Sequence, residues 1–296
     1  SVSQDFRIPY VQNYNLNIQQ QLSKDSVLQI GYVGSQGHHL SLLRNINAPV
    51  PGTTGATQDR RPFNAAYPTL ASINELNSIG NSNYNSLQTQ LRVTRWKRLT
   101  GVANYTWGKG IDNGSNVRNA IPANSYDLTR ERGPASFDIR HTFTGYVTYD
   151  IPQIGQRFKR LSQGWQVNGL ITAHGGEPLD ILAGTNVSGS ADSRDRVDVV
   201  GDPFSGLTPA SGTSIRYFNA AAFARPATGT FGNIGRNAIY GPGFGSFDFS
   251  AFKNTTITER ITAQFRLEIF NLFNRANYAN PGTSLASSTA FGIITN

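Results

Sequence analysis

From Ile261 to Ile269 the side chains alternate without a miss. Ile261, Ala263, Phe265, Leu267 and Ile269 fall on one side, and Thr262, Gln264, Arg266 and Glu268 on the other. An extended strand turns successive side chains to opposite faces, so this segment has one apolar face and one polar, charged face. The same two-residue period recurs along the chain. In the first strand, about Tyr10 to Leu22, Tyr14, Leu16, Ile18 and Leu22 oppose Asn13, Asn15, Asn17, Gln19 and Gln21. A second strand carries Leu28, Ile30 and Tyr32 on one face. A third, about Tyr84 to Arg95, sets Leu87, Thr89, Leu91 and Val93 against Ser86, Gln88, Gln90 and Arg92.

A fourth strand ends at Tyr105-Thr106-Trp107, and a fifth is expected over Phe137 to Asp150. The sixth contains Trp165, Val167 and Ile171. The seventh, about Phe244 to Phe252, and the eighth, about Glu259 to Phe273, are joined through Lys253 to Thr258. Short turns follow strands one, three, five and seven. Long polar stretches follow the others: about 45 residues after strand two, a second loop to about Ser136, and an irregular region from about Gly175 to Gly243 that includes a possible short strand at Leu179 to Leu182. In a membrane barrel all the short turns lie on the periplasmic side and all the long loops outside. The expected fold class is therefore all-β: an antiparallel transmembrane β-barrel segment with about eight visible strands, in the outer membrane of a Gram-negative-type bacterium.

Composition agrees with that class. The chain has 296 residues, 38% hydrophobic and 15% charged, too few charges for a disordered chain. No run approaches the roughly 18 apolar residues of a membrane helix. A mean hydropathy of −0.36 is compatible with spanning strands, because half of each strand and all loops are wet. The absence of cysteine excludes disulfides and thiol chemistry.

Charged side chains within the strands must face the lumen, since Arg or Lys against hydrocarbon costs roughly 2–4 kcal/mol at mid-membrane. The lumen-facing candidates are Arg92, Asp138, Arg140, Asp248, Arg266 and Glu268. Both signs occur together, which favours mutual salt bridges over a solute-binding wall. Aromatics near strand ends read as two interfacial girdles, Tyr14, Tyr32, Tyr105, Trp107 and Phe137 outside, and Tyr149 and Trp165 inside. Lys97, Arg98, Arg157, Lys159 and Arg160 fall in periplasmic turns. Arg44, Arg60, Arg61, Arg130, Arg132, Arg194 and Arg196 fall in outer loops, where lipopolysaccharide phosphates would attract them.

Chemistry is sparse. Gly37-His38-His39 lacks the further ligands of a metal site. Asp192, Asp195 and Asp198 lack the calcium-loop order and read as a solvated loop. Gly241 to Gly245 reads as a turn ahead of strand seven, because no helix follows to bind phosphate. No Ser-His-Asp set can be placed, and no nucleic-acid motif is identifiable. Neither an enzyme nor a cofactor is expected.

Several ordered segments resemble the barrel of TonB-dependent outer-membrane receptors of the Oar-like group, which carry a carboxypeptidase-regulatory-like domain. They are Asn13 to Asn17, Gly31 to Ser35, Asn83 to Leu87, Tyr105 to Lys109 with Ile111-Asp112, Glu131 to Gly133, Phe137 to His141, Gly229 to Asn233, Phe247 to Ser250, and Phe265-Arg266 through Phe270 to Asn274. The resemblance implies a barrel of about 22 strands with an N-terminal plug. Residues 1–296 then read as the C-terminal portion of such a barrel, with neither the plug nor the terminal closing strand. Its partners would be outer-membrane lipid and lipopolysaccharide, the rest of the barrel or a partner subunit, and the TonB system. The expected function is energised uptake of a solute. The alternatives are a passive porin or structural barrel, and a surface or filament-forming adhesion protein.

Overall fold

The computed structural model describes residues 1–115, 121–153, 162–192, 194–207 and 214–295. Its long strands form one antiparallel sheet in chain order: β1 (Tyr10–Ser23), β2 (Ser26–Asn45), β3 (Asn74–Trp96), β4 (Leu99–Asp112), β5 (His141–Asp150), β6 (Trp165–His174), β7 (Phe244–Thr258) and β8 (Ile261–Ile269). Gly133–Pro134 adds a two-residue strand to the outer end of β4. Tight turns at Lys24–Asp25, Lys97–Arg98 and Glu259–Arg260 lie at one end of the sheet, and the long connections 46–73, 113–140 and 175–243 lie at the other. Among the described residues β1 bonds only to β2 and β8 only to β7, so the sheet is open at both edges.

The strands differ from expectation mainly at their ends. β2 and β3 continue as a paired ribbon from Asn45 and Asn74, which shortens the first long loop to 46–73. Ladder hydrogen bonds hold this ribbon although its side chains lack apolar alternation. β5 begins at His141 rather than Phe137. A turn over Ala135–Asp138 precedes it instead, with the Asp138 N–H donating to the Ala135 carbonyl at 2.9 Å. Lys253 to Thr258 belongs to β7 and not to a turn, and β8 ends at Ile269 rather than Phe273. At the possible strand near Leu179, Pro178–Leu179 pairs with Ile239–Tyr240. Arg157, Lys159 and Arg160 lie outside the described residues.

Register aligns like with like across the sheet. Leu16, Tyr32, Leu87 and Trp107 are successive partners on the apolar face, as are Ile18, Ile30, Thr89, Tyr105 and Phe143 in the next row. On the opposite face Gln19, Gln29, Gln90, Asn104, Thr144 and Thr172 form a polar row. A one-residue slip would invert both faces, so the alternation fixes the register.

The hydrophobic core is not in the sheet. Leu179, Ile181, Ala183, Val197, Phe218, Phe223, Ile234 and Ile239 from the 175–243 connection are buried together with Phe291 from the segment after β8. The rings of Phe218, Phe223 and Phe291 meet edge to face, with centroids 5.1–5.5 Å apart, a preferred aromatic geometry. Ile215–Arg216 pairs with Ile293–Ile294, so the C-terminal residues close this packed cap. Gly292 allows the closure: its φ is +72°, and a Cβ there would lie 2.8 Å from the Phe218 ring.

Candidate functional site

The polar face carries hydrogen-bonded ladders between neighbouring strands. Gln90 Nε2 donates to Asn104 Oδ1 at 2.8 Å, and Asn104 Nδ2 to Thr144 Oγ1 at 3.4 Å. Nearer the short turns, Thr148 Oγ1 donates to Asn168 Oδ1 at 2.8 Å and Asn168 Nδ2 to Ser250 Oγ at 3.1 Å. Neutral amides and hydroxyls do most of the joining here, in place of the expected ladder of salt bridges. Among the described candidates only Arg266 and Glu268 pair, at 3.7 Å and with both side chains about half exposed; such pairs contribute little. Arg266 also lies over the Phe252 ring at 4.6 Å and bonds to Gln264. Arg92 bonds to Gln90, and Asp248 accepts from Ser246 and from the Asn271 N–H.

Asp138 and Arg140 are not on a strand. Asp138 is buried at the outer rim, where Oδ1 accepts from the Gly110 N–H at 2.7 Å and Oδ2 from the Tyr240 hydroxyl at 2.8 Å. Burial, then the bond to Asp138, raises the Tyr240 pKa. The Arg140 guanidinium sits 5.7 Å over the Tyr240 ring. These residues fasten the cap to the polar face of the sheet.

The girdle residues lie on the apolar face, apart from Phe137, which is exposed in the rim turn. Tyr14 and Tyr32 direct both hydroxyls at Asn85 Oδ1, at 3.2 and 2.6 Å. Gly34 makes room for this, since a Cβ there would overlap the Tyr14 ring. The Tyr105 hydroxyl meets His141 Nδ1 at 2.8 Å. Towards the other end, Tyr149 pairs with Leu99 and Val167, and Trp165 with Lys253. Along β4 the span from Trp107 to Leu99 is about 26 Å at ~3.3 Å per residue, close to an apolar band of ~25 Å before strand tilt is counted.

Buried ion pairs tie the cap together. Arg196 reaches Glu131 through both terminal nitrogens, at 3.1 and 2.7 Å, and Asp180 through Nε at 2.9 Å. Burial opposes the charge on Arg196, but Glu131 and Asp180 outweigh it and raise its pKa. Arg236 pairs with Asp112 and donates through Nε to the Glu131 carbonyl at 2.7 Å. Arg236 carries no local signal in the sequence, being a lone arginine in a glycine-rich stretch.

The outer-loop arginines are less available than expected. Arg61 and Arg196 are buried, and Arg60 and Arg130 donate to backbone carbonyls. Asp195 is also buried rather than solvated, holding the Ser188 N–H and hydroxyl at 2.7 and 2.8 Å. Asp192 accepts from Asn45 and Asp198 from the Asn233 N–H, so the three aspartates do not converge. His38 and His39 pack against Tyr10. Among the described residues no cluster of His, Asp or Glu could hold a metal ion.

A cavity of about 350 Å³ opens where cap and sheet meet, lined by Asn113, Ser115, Glu131, Phe137, Arg194 and Arg236. Its size falls in the range of small-molecule pockets.

Two solved outer-membrane proteins are similar to the chain in part. The fold of the outer membrane transporter YddB from Escherichia coli matches with a TM-score of 0.50 at 11% identity, over 93% of this chain and 30% of that one. The ferric-catecholate import receptor Fiu from E. coli K12 matches with a TM-score of 0.45 at 11% identity, over 98% of this chain and 27% of that one. The chain thus spans less than a third of the length of either structure. A search of curated proteins finds no match. The family model of the outer membrane beta barrel domain matches residues 1–296, and the chain belongs to that outer-membrane family.

Proposed function

We propose that this sheet is one wall of a plugged receptor barrel that takes up a solute with energy delivered through TonB, as the Oar-like motifs imply. The observation that carries the reading is an apolar strip on the polar face. Val102, Tyr146 and Leu170 are successive register partners there, flanked by Arg92 and Asp248, and Tyr146 and Leu170 remain 50% and 48% exposed. A water-filled pore gains nothing from such a strip, whereas a plug packed against the wall would bury it. The two open edges need partners as well. Each unsatisfied backbone group in lipid costs several kcal/mol, so further strands, from a longer chain or a partner subunit, would complete the barrel. Solute would first meet the rim cavity beside Arg194 and Phe137. Exposed Arg132 and the outer aromatic belt would face lipopolysaccharide.

Planar-bilayer recording on the protein extracted from its own outer membrane tests the reading. A plugged receptor stays closed under modest voltage. A steady open conductance would replace it with the passive porin.

A further inference from the structure

The apolar face is interrupted by a trough. Its floor is Gly101, Gly145 and Gly169 on β4, β5 and β6, where Gly101 pairs with Val147, Val147 with Gly169, and Gly145 lies one row further out. Leu91, Phe143 and Phe247 stand around it, and the space is about 250 Å³. Glycine weakens a strand interior and often marks a close approach by something else; here three on neighbouring strands line one depression, where the Phe247 ring lies over Gly169 and Ile171 and Phe143 edge Gly145. On a face turned to the bilayer, that space suits a hydrocarbon chain.

A second observation lies at the end of the trough nearest the short turns. Leu99 lines the trough and pairs with Trp96 across the turn at Lys97 and Arg98. Both turn residues have positive φ, +46° and +74°, as does Arg95 at +62°. A two-residue turn of this form favours Asn-Gly, because a side chain on a left-handed backbone is strained. Lysine and arginine stand there instead. Both are exposed, and among the described residues none of Arg95, Lys97 and Arg98 forms an ion pair. The Lys97 ammonium lies 5.2 Å over the Trp96 ring, at the level where headgroups begin. The other described tight turns, Lys24–Asp25 and Glu259–Arg260, carry both signs and no positive φ.

We propose that trough and turn form one site for an anionic phospholipid of the inner leaflet, its acyl chain along the glycine floor and its phosphate at Lys97 and Arg98. The strained turn retains its cations because the headgroup uses them. This site requires the membrane orientation of the sheet but not TonB-dependent uptake.

Native mass spectrometry of the protein extracted from outer membranes, titrated with dioleoyl-phosphatidylglycerol and dioleoyl-phosphatidylethanolamine, provides the test. The wild type should retain the anionic lipid preferentially, by about five-fold for each cation engaged. K97N/R98G, which suits the turn geometry better, should lose that preference while resisting heat at least as well. Gly145→Leu should lose both lipids. A Cβ at Gly145 would meet Ile171 at 3.3 Å, so Gly145→Ala supplies a milder variant with a partial loss if the larger one fails to assemble. Equal retention of the two lipids by the wild type, an undiminished preference in K97N/R98G, or full retention in both folded Gly145 variants would overturn the proposal.

Discussion

The sheet and the cap are built on opposite principles. In the sheet, β1 and β8 are exposed along their whole length, and large apolar side chains such as Leu16, Ile18, Phe265 and Leu267 are 46–66% accessible. Nothing among the described residues covers them. Backbone ladders, polar rows and the surrounding bilayer must hold this region together. In the cap, Ile181, Val197 and Phe218 are wholly inaccessible, and the ion pairs of Arg196 and Arg236 are buried beside them. The cap follows the rules of a water-soluble domain, while the sheet follows those of a membrane wall. They are joined by the Asp138–Tyr240 and Asp112–Arg236 contacts, and the rim cavity opens beside Arg236.

If sheet and cap hold together by separate means, damage to one should spare the other. Phe218→Ala removes the central ring of the cap, and large-to-small changes of this kind cost about 3–5 kcal/mol. The cap should become sensitive to protease added outside, while the heat-modifiable gel mobility of the barrel persists. Loss of both together would show a single cooperative unit. Leu267→Arg strikes the other region, placing an unpaired charge against hydrocarbon at roughly 2–4 kcal/mol if the site is near the midplane. Assembly should fall, whereas Arg266→Leu, which removes a half-exposed pair, should do much less. Gel mobility of the two variants measures this, and a reversed order would exchange the faces.

The smallest effect concerns pH. Burial raises the pKa of Asp192 in the cap, with the bond from Asn45 and the charge of Arg61 opposing. A carboxyl whose folded pKa lies above its unfolded one favours the folded state below the unfolded value. That contribution is lost as pH rises through both values. At neutral pH the buried charge therefore costs stability. Asp192→Asn, whose amide oxygen can still accept from Asn45, should protect the cap from protease modestly at pH 7 and leave it unchanged near pH 3. An equal change at both values would show that ionisation of Asp192 is not the cause.

The two regions were not equally legible. Period-two alternation revealed the strands, because one face of each meets lipid and the other water. The short-long rhythm of the connections set the end at which each loop lies. Strand ends are less legible in the outer half of the β2–β3 ribbon: Asn77, Ser78, Asn81, Ser82 and Asn83 show no alternation, yet pairing resumes beyond the irregularities between Gly37 and Leu42 and runs on to Asn45 and Asn74. The cap gave almost no signal. Its core joins Ile181, Val197, Phe218 and Phe291 from distant stretches without periodicity, and Arg236 meets Asp112 across the loops. Asp138 reads in the sequence as a lumen-facing charge on a strand, because Phe137 to Arg140 alternates, whereas these residues lie between a turn at Ala135–Asp138 and the start of β5.

One face of this sheet meets lipid and the other meets a polar interior. Residues 1–296 contain no cysteine, so each introduced thiol is the single labelling site among them. Single cysteines at Leu16, Ile18, Leu91, Val147, Phe265 and Leu267, and at Asn15, Asn17, Gln90, Thr148, Gln264 and Arg266, should be treated with a water-soluble thiol reagent in native outer membranes. The second group should label much more than the first. Equal labelling of the two groups would contradict the account.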